Sequence, residues 1–135
     1  MADEDNRKPV KVGVKEGDGP PPGYLWNVNI LDHSYREARA FLDDDQYAHI
    51  ASQFRELAGE VEPTQSLTVD VRPIDDFFEL RDKGGLLKKI NVRVFFCLCK
   101  ITRTITVLGA INKKNDGQTP PYAKILMWNR MRRYQ

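Results

Sequence analysis

The sequence predicts an α+β domain in which two consecutive helices cover one face of a small antiparallel sheet. Apolar residues recur at the spacing of an amphipathic helix through residues 34–58. From residue 67 to residue 112 they instead alternate with polar residues, in the period of two that is typical of strands. Strands that follow one another through short turns form an antiparallel meander, so the predicted order is strand, helical hairpin, three-strand meander and C-terminal helix.

Residues 1–23 are predicted to form a flexible tail, and residues 24–135 a single folded domain. The tail is charged and rich in glycine, and it ends in the run PPPG, so it has too few apolar residues to form a core. No apolar run reaches the ~18 residues that a membrane span needs. The acidic start MADEDN is unlike a signal peptide. We therefore expect a cytoplasmic protein without a membrane partner.

The first strand and the helical hairpin are predicted between residues 24 and 59. YLWNVNIL, residues 24–31, alternates as a half-buried strand does. Ser34 followed by Glu37 has the spacing of a capping box, which predicts the start of the first helix. The acids at residues 43–45 should end that helix and cap the second one, QYAHIASQFRELA.

The meander is predicted to begin with SLTVDVRPI and to continue through FFELRD as one strand, up to the turn at Gly84 and Gly85. INVRVFFCL is the strongest strand pattern, and TITVLGAIN follows it after a tight turn near residues 102–103. Thr119 is a plausible N-cap for the last helix, since proline is tolerated at the first helical position.

Charge is divided unevenly along the chain, although the net charge is only +2. Residues 1–80 hold 17 acidic and 8 basic side chains, whereas residues 81–135 hold 13 basic and 2 acidic ones. The basic part is a candidate surface for a polyanion. Alternatively, the two parts neutralise each other after folding.

The two cysteines, Cys97 and Cys99, are predicted to be reduced packing residues. They stand two apart in one strand, which is a poor geometry for a disulfide. No further Cys or His lies near them in sequence, so they are a weak metal signal. No metal or other cofactor is predicted.

Arg93 stands in the middle of the strongest strand, between valine and phenylalanine side chains. A sealed face would make an unpaired charge there cost several kcal/mol. The face of Arg93 and Lys89 must therefore open to solvent or to a ligand, or Arg93 must have a buried acidic partner. A third possibility is an ordinary outward charge on a half-buried strand.

The next strand should bring further cations close to Arg93. A turn at residues 102–103 pairs residue i with about 205 − i, which sets Asn112 opposite Arg93. A cationic cluster beside an aromatic ring suits a phosphate and a stacked base. The alternative is a solvated hairpin exit. The side chains expected to gather are Arg81, Arg93, Lys113, Lys114 and Tyr122.

The combination of FFELRDKG, INVRVFFCL and TITVLGAINKKNDGQTPPY resembles the RelE/HigB-like toxins of type II toxin–antitoxin systems. Within the RelE/ParE superfamily it is similar to the phage-derived Gp49-like branch. The matching motifs are LR at residues 80–81, RVF at 93–95 and INKK at 111–114, followed by the two prolines at 120–121. The resemblance spans about residues 24–135.

This resemblance implies a RelE-like fold and a metal-independent endoribonuclease that cleaves mRNA on the ribosome. It also implies a cognate antitoxin, a helix-turn-helix protein in that branch, that holds the toxin inactive. Arg93 would stabilise the phosphate, and Lys114 with Lys113 would supply charge or the leaving-group proton. The RNA-binding residues would be Arg81, Lys89, Tyr122 and Arg130.

The sequence departs from the family where some members carry lysines before the LR motif, because Phe77 and Glu79 stand there. His33 and His49 lie in the N-terminal half and are not assigned to catalysis. Alternative functions are a ParE-like gyrase inhibitor that acts by contact, or a degenerate toxin that only binds RNA or an antitoxin. A third alternative is a structural α+β protein without a polyanion ligand.

Overall fold

The computed structural model describes residues 10–11, 19–114 and 117–134. It holds six strands and three α-helices in these residues, which confirms the α+β class. The strands are β1 (Val10–Lys11), β2 (Asn27–Ile30), β3 (Val71–Ile74), β4 (Phe77–Lys83), β5 (Asn91–Cys99) and β6 (Thr104–Asn112). The helices are α1 (Asp32–Arg39), α2 (Asp44–Ala58) and α3 (Pro121–Tyr134), with short 3₁₀ turns at Pro63–Gln65 and Gly85–Leu87.

All six strands join one sheet in the order β1-β2-β6-β5-β4-β3. β2 runs parallel to β6, whereas every other pair is antiparallel. The prediction of a purely antiparallel sheet is therefore wrong. An alternating pattern shows that a strand exists but not which neighbour it pairs with. The helical hairpin and three strands separate β2 from β6, so no turn constrains their relative direction.

The meander has four strands rather than the predicted three, because the first segment folds back on itself. β3 ends at Ile74 and β4 begins at Phe77, with Asp75 at a φ of 52° in the connecting turn. Asp tolerates this left-handed conformation better than most residues do. Pro73 is accommodated because β3 is an edge strand of the sheet. The strand does not extend back to Leu67, which is 99% exposed.

The helical hairpin forms, but only one of its predicted caps does. Helix α1 begins at Asp32 and has no side-chain cap, so the predicted box of Ser34 and Glu37 is wrong. At the start of α2, Asp43 accepts a hydrogen bond from the backbone N–H of Gln46, whose side chain accepts from the N–H of Asp43. The prediction that the acids after the first helix cap the second is confirmed.

Both faces of the sheet are covered, and β5 contributes to both cores. Val92, Val94 and Phe96 pack in the core beneath α1 and α2. Phe95 and Cys97 point to the other face, where they lie in one cluster with buried residues of α3. Both cysteines are free, and Cys97 is buried as predicted. The α3 residues in this second core are Ala123, Met127 and Met131.

Helix α3 approaches β6 closely at Gly109. A Cβ atom at this position would lie 2.3 Å from Met127 Cε and 2.7 Å from Arg130 Nη1. The strand is irregular at this point, since the pairing of β5 with β6 shifts between Phe95 and Phe96. A larger residue here would require the buried side chains of Met127 and Arg130 to move.

Most of the predicted tail, residues 1–9 and 12–18, lies outside the described residues. The described residues of the tail include β1, which pairs antiparallel with β2 and sets Val10 opposite Ile30. No strand or helix was predicted in the tail. In the described part of the chain, none of the helices combines the length and the apolar character that crossing a bilayer requires.

Candidate nucleic-acid interface

Arg81 and Arg93 are direct cross-strand partners on β4 and β5. Arg93 in turn lies opposite Ile111 on β6, and Asn112 lies opposite Val92. The predicted pairing of Asn112 with Arg93 was wrong by one residue. A slip of one residue changes the face that a side chain occupies, so the error matters for the site. It is Ile111 that shares the α3-facing side of the sheet with Arg93.

Arg93 is only 1% exposed. A buried acidic partner was one of the alternatives that the sequence left open for this residue, and the structure contains such a partner. That partner is Glu79, whose side chain is fully buried. Its carboxylate lies 3.7 Å from Arg93 Nη1 and accepts a hydrogen bond of 2.5 Å from Arg81 Nε. It also accepts one of 2.6 Å from the hydroxyl of Thr119. Thr119 therefore anchors the chain before α3 to the sheet rather than capping the helix.

This cluster holds two positive charges against one buried negative charge. Like charges on directly opposed strand positions destabilise a sheet unless a counter-charge lies between them. Glu79 provides it, because residues i and i+2 of a strand share a face, and so Glu79 lies beside Arg81. Among the residues that the structure describes, the Glu79 carboxylate is thus shared by the two cations Arg81 and Arg93.

The cluster forms the floor of an open cleft of about 390 Å³, which we call the arginine cleft. Arg72 of β3 stands at its side, where its guanidinium binds Asp70 at 2.8 Å. This hydrogen bond raises the pKa of Arg72 above its ordinary value. Four cations and two acids line the cleft: Arg72, Arg81, Lys83, Arg93, Asp70 and Asp82.

A second open cleft, of about 420 Å³, adjoins the first, because Lys83 lines both. We call it the lysine cleft, since all the charged side chains that line it are lysines. Lys89 and Lys114 come together here, although they are 25 positions apart in sequence. Of the side chains predicted to gather, Arg81 and Arg93 line the arginine cleft, whereas Lys114 lines the lysine cleft. The lining residues are Lys83, Gly84, Lys88, Lys89, Ile90, Asn91 and Lys114.

Lys113 and Tyr122 were predicted to belong to the site, but they line neither cleft. The backbone N–H of Lys113 donates to the carbonyl of Asn91 at 2.8 Å, which extends the β5–β6 ladder to the rim of the lysine cleft. Tyr122 lies in the first turn of α3 with an exposed ring. An exposed aromatic ring is suited to stacking on an unpaired base.

Arg130 has a different environment from the other predicted site residues. It is buried, and its guanidinium makes two hydrogen bonds to the Glu37 carboxylate, of 3.0 and 2.8 Å. A third, of 2.9 Å, goes to the carbonyl of Leu108. Glu37 also accepts from the N–H of Ala110. Arg130 therefore ties α3 to β6 and α1, and it lines neither the arginine cleft nor the lysine cleft.

His49 is paired, which its position in the sequence did not indicate. Its Nε2 lies 2.7 Å from a carboxylate oxygen of Asp82, which also accepts a hydrogen bond from Gln53. His49 lies on α2 and Asp82 on β4, so the pair joins the helical hairpin to the strand that carries Arg81. No local pattern could have shown a contact between residues 33 positions apart.

Comparison of the chain with models of known protein families finds no match, and none of the curated proteins searched is similar to it. The functional interpretation therefore depends on the chemistry of the two clefts.

Proposed function

We propose that this protein is the toxin of a type II toxin–antitoxin system, an endoribonuclease of the RelE/HigB-like kind. In this proposal it cleaves mRNA, presented by the ribosome, and a cognate helix-turn-helix antitoxin neutralises it. The observation that supports the proposal is the junction of the arginine cleft and the lysine cleft at Lys83. Together they form one surface on which basic side chains outnumber acidic ones.

An RNA backbone suits this surface because its phosphates need positive charge at regular intervals. Flexible lysines neutralise phosphates as point charges, whereas the planar guanidinium of arginine can bind two oxygens of one phosphate. We therefore place the reacting phosphate over the arginine cleft and the neighbouring backbone along the lysine cleft. Tyr122 is the candidate for stacking on a base.

The proposed reaction uses the RNA's own ribose as the nucleophile. The 2′-oxygen forms a bond to phosphorus as its proton leaves to a general base, and the bond from phosphorus to the 5′-oxygen breaks. Negative charge accumulates on the phosphorane between these events, where Arg93 and Arg81 stabilise it. Lys114 donates the proton that the leaving 5′-oxygen needs. Side-chain cations thus supply the charge stabilisation without a metal ion.

Glu79 is assigned a positioning role rather than the role of the base. Its carboxylate is fully buried and already accepts hydrogen bonds from Arg81 and Thr119. A general base must reach the proton that it removes. Glu79 instead holds both guanidinium groups at the floor of the cleft, which reduces the reorganisation that the transition state requires.

One observation favours a second candidate, a non-catalytic protein of the same fold. Arg93 is 1% exposed and is paired with Glu79, as a purely structural arginine would be. In that case the clefts bind a ligand without cleaving it. The chain would then be a ParE-like gyrase inhibitor, or a degenerate toxin that binds only RNA or an antitoxin.

Induced expression with and without the antitoxin gene, followed by mapping of mRNA 5′ ends, distinguishes these functions. The first variant is Arg93→Lys, which keeps the charge beside Glu79 but removes the planar guanidinium that can bind two phosphate oxygens. The second variant is Lys114→Ala. Lys100→Ala is the matched control, because Lys100 is exposed at the opposite end of β5. We expect growth arrest and new 5′ ends for the wild type and the control only.

Growth arrest with intact mRNA would contradict cleavage and support an inhibitor that acts by contact. Absence of arrest from a folded, expressed wild-type protein would support a degenerate binder. Circular dichroism of each purified variant separates lost activity from lost folding.

A further inference from the structure

We propose that the outer face of α3 is a docking surface for an acidic amphipathic helix of a partner protein. The surface, which we call the α3 docking face, consists of Ile125, Leu126 and Trp128 with the flanking cations Lys124 and Arg132. This inference does not rest on the proposed function, because neither cleft includes any of these residues.

Helix α3 carries apolar side chains on both of its sides. Its inner side is buried through Ala123, Met127 and Met131. On its outer side Ile125 is 63% exposed and Trp128 is 40% exposed, and Leu126 is exposed as well. A helix on the surface of a soluble domain normally presents polar residues outward, whereas one that is apolar all round is normally covered. The spacing of 125, 126 and 128 places these side chains around the outward direction of one helical turn.

A groove lined mainly by polar and basic side chains adjoins this surface at Leu126. Its volume is about 490 Å³, and Leu126 forms its apolar wall. Asn129 and three arginines, including Arg132, form the rest of the lining. Arg132 also lies over the indole ring of Trp128, with its guanidinium carbon 4.7 Å from the ring centroid. Apolar anchors beside a groove are the features that bind amphipathic helices.

The charges around the face determine which partner fits. Helix α3 contains four cations and no acidic residue, and Lys124 and Arg132 lie next to the exposed apolar side chains. A helix with leucine-like anchors and flanking glutamates would match both the apolar centre and the basic rim. A second copy of this face in a symmetric dimer would set arginines against arginines. An RNA strand would bind the cations but would leave Ile125 exposed to water.

Tryptophan fluorescence provides a direct readout of this surface. The chain has two tryptophans. Trp26 is only 2% exposed and donates a hydrogen bond to the carbonyl of Glu60, so a ligand on α3 should leave its emission unchanged. Trp128 is 40% exposed on the docking face. Burial of Trp128 by a bound helix should therefore shift the emission of the full-length protein to shorter wavelength.

The probe is a designed peptide helix with leucines at i, i+3, i+4 and i+7 and glutamates on both flanks. A twin peptide with lysines in place of the glutamates tests the charge requirement. We expect the acidic peptide to bind with an emission shift, and Ile125→Glu to weaken binding about tenfold or more. The matched control Leu67→Glu changes an equally apolar but isolated side chain, and it should bind like the wild type.

Three results would overturn the proposal. The first is no binding of the acidic peptide, and the second is equal binding of the basic twin or equal weakening by Leu67→Glu. The third is sedimentation of the free protein as a dimer that Ile125→Glu dissociates, which would assign the face to a second copy. Because mRNA cleavage is measured separately, failure here leaves the proposed function intact.

Discussion

Arg81 and Arg93 lie directly opposite each other on β4 and β5, and both bind the buried carboxylate of Glu79. This arrangement converts an unfavourable pair of like charges into a fixed cationic floor beneath an open cleft. The same contacts connect the fold to the proposed chemistry, because they fix where two guanidinium groups would meet the proposed phosphate.

Glu79→Gln should destabilise the protein strongly, by about 3 kcal/mol in the free energy of unfolding. The glutamine keeps the shape but removes the buried negative charge that pairs with Arg81 and Arg93. Urea denaturation measures the change. Asp70→Asn is the control, because Asp70 pairs with Arg72 at the surface and its loss should cost less than about 1 kcal/mol. Equal effects of the two substitutions would contradict a structural role for Glu79.

Arg130→Ala should destabilise the protein by about 2–4 kcal/mol, because it leaves the Glu37 carboxylate and the Leu108 carbonyl without their donor. Thermal unfolding followed by circular dichroism measures this. Arg132→Ala, at an exposed position two residues later, should change stability by no more than about 0.5 kcal/mol. The sequence-based prediction that Arg130 binds RNA is supported instead if Arg130→Ala is fully stable but binds RNA weakly.

Gly109→Ala should cost about 1–3 kcal/mol, because the added methyl group would overlap the buried side chains of Met127 and Arg130, which would have to repack. Gly59→Ala is a suitable control. Its Cβ would lie 3.5 Å from the nearest atom, which is an ordinary contact, so it should be nearly neutral. Chemical denaturation of both variants tests the expectation. A neutral Gly109→Ala would show that α3 does not pack on β6 as closely as described.

The two cysteines should differ in reactivity towards iodoacetamide. Burial raises the pKa of Cys97 to about 12, whereas hydrogen bonds with Thr102 lower the pKa of Cys99. Only the thiolate reacts, so near pH 8 Cys99 has the larger reactive fraction and should be alkylated first. Tandem mass spectrometry locates the label, and Cys99→Ser should abolish it. Preferential labelling of Cys97 in the folded protein would contradict the described burial.

Local patterns in the sequence predicted most of the elements and failed where distant contacts decided the outcome. The alternation through β5 was sufficient to place Val94 and Phe95 on opposite faces. The capping box at Ser34 was a reasonable local prediction, but Glu37 binds Arg130, 93 positions away, instead of the helix N-terminus. The parallel pairing of β2 with β6 also depends on the whole chain path.

In the candidate site, too, local patterns predicted some features, and contacts between distant residues decided the others. The proximity of Arg81 to Arg93 followed from strand order and a turn position, which the sequence contains. The burial of Arg93 did not, since it depends on contacts that only the folded chain brings together. Glu79 was noted only as a departure from a family pattern. Glu79 stands two residues before Arg81 on one strand, so their side chains share a face. This spacing is the signal in the sequence that identifies Glu79 as the counter-charge of Arg81 and Arg93.

The measurement that tests the central claim most directly is the chemistry of the cleaved RNA ends. Purified protein would be mixed with ribosomes that carry a defined mRNA, and the products of a single turnover analysed by mass spectrometry. Attack by the ribose 2′-oxygen predicts a 2′,3′-cyclic phosphate on one fragment and a 5′-hydroxyl on the other. It also predicts loss of at least about a hundredfold in rate for folded Arg93→Lys. Fragments with 3′-hydroxyl and 5′-phosphate ends, or an Arg93→Lys variant as fast as the wild type, would contradict the proposed role of the arginine cleft.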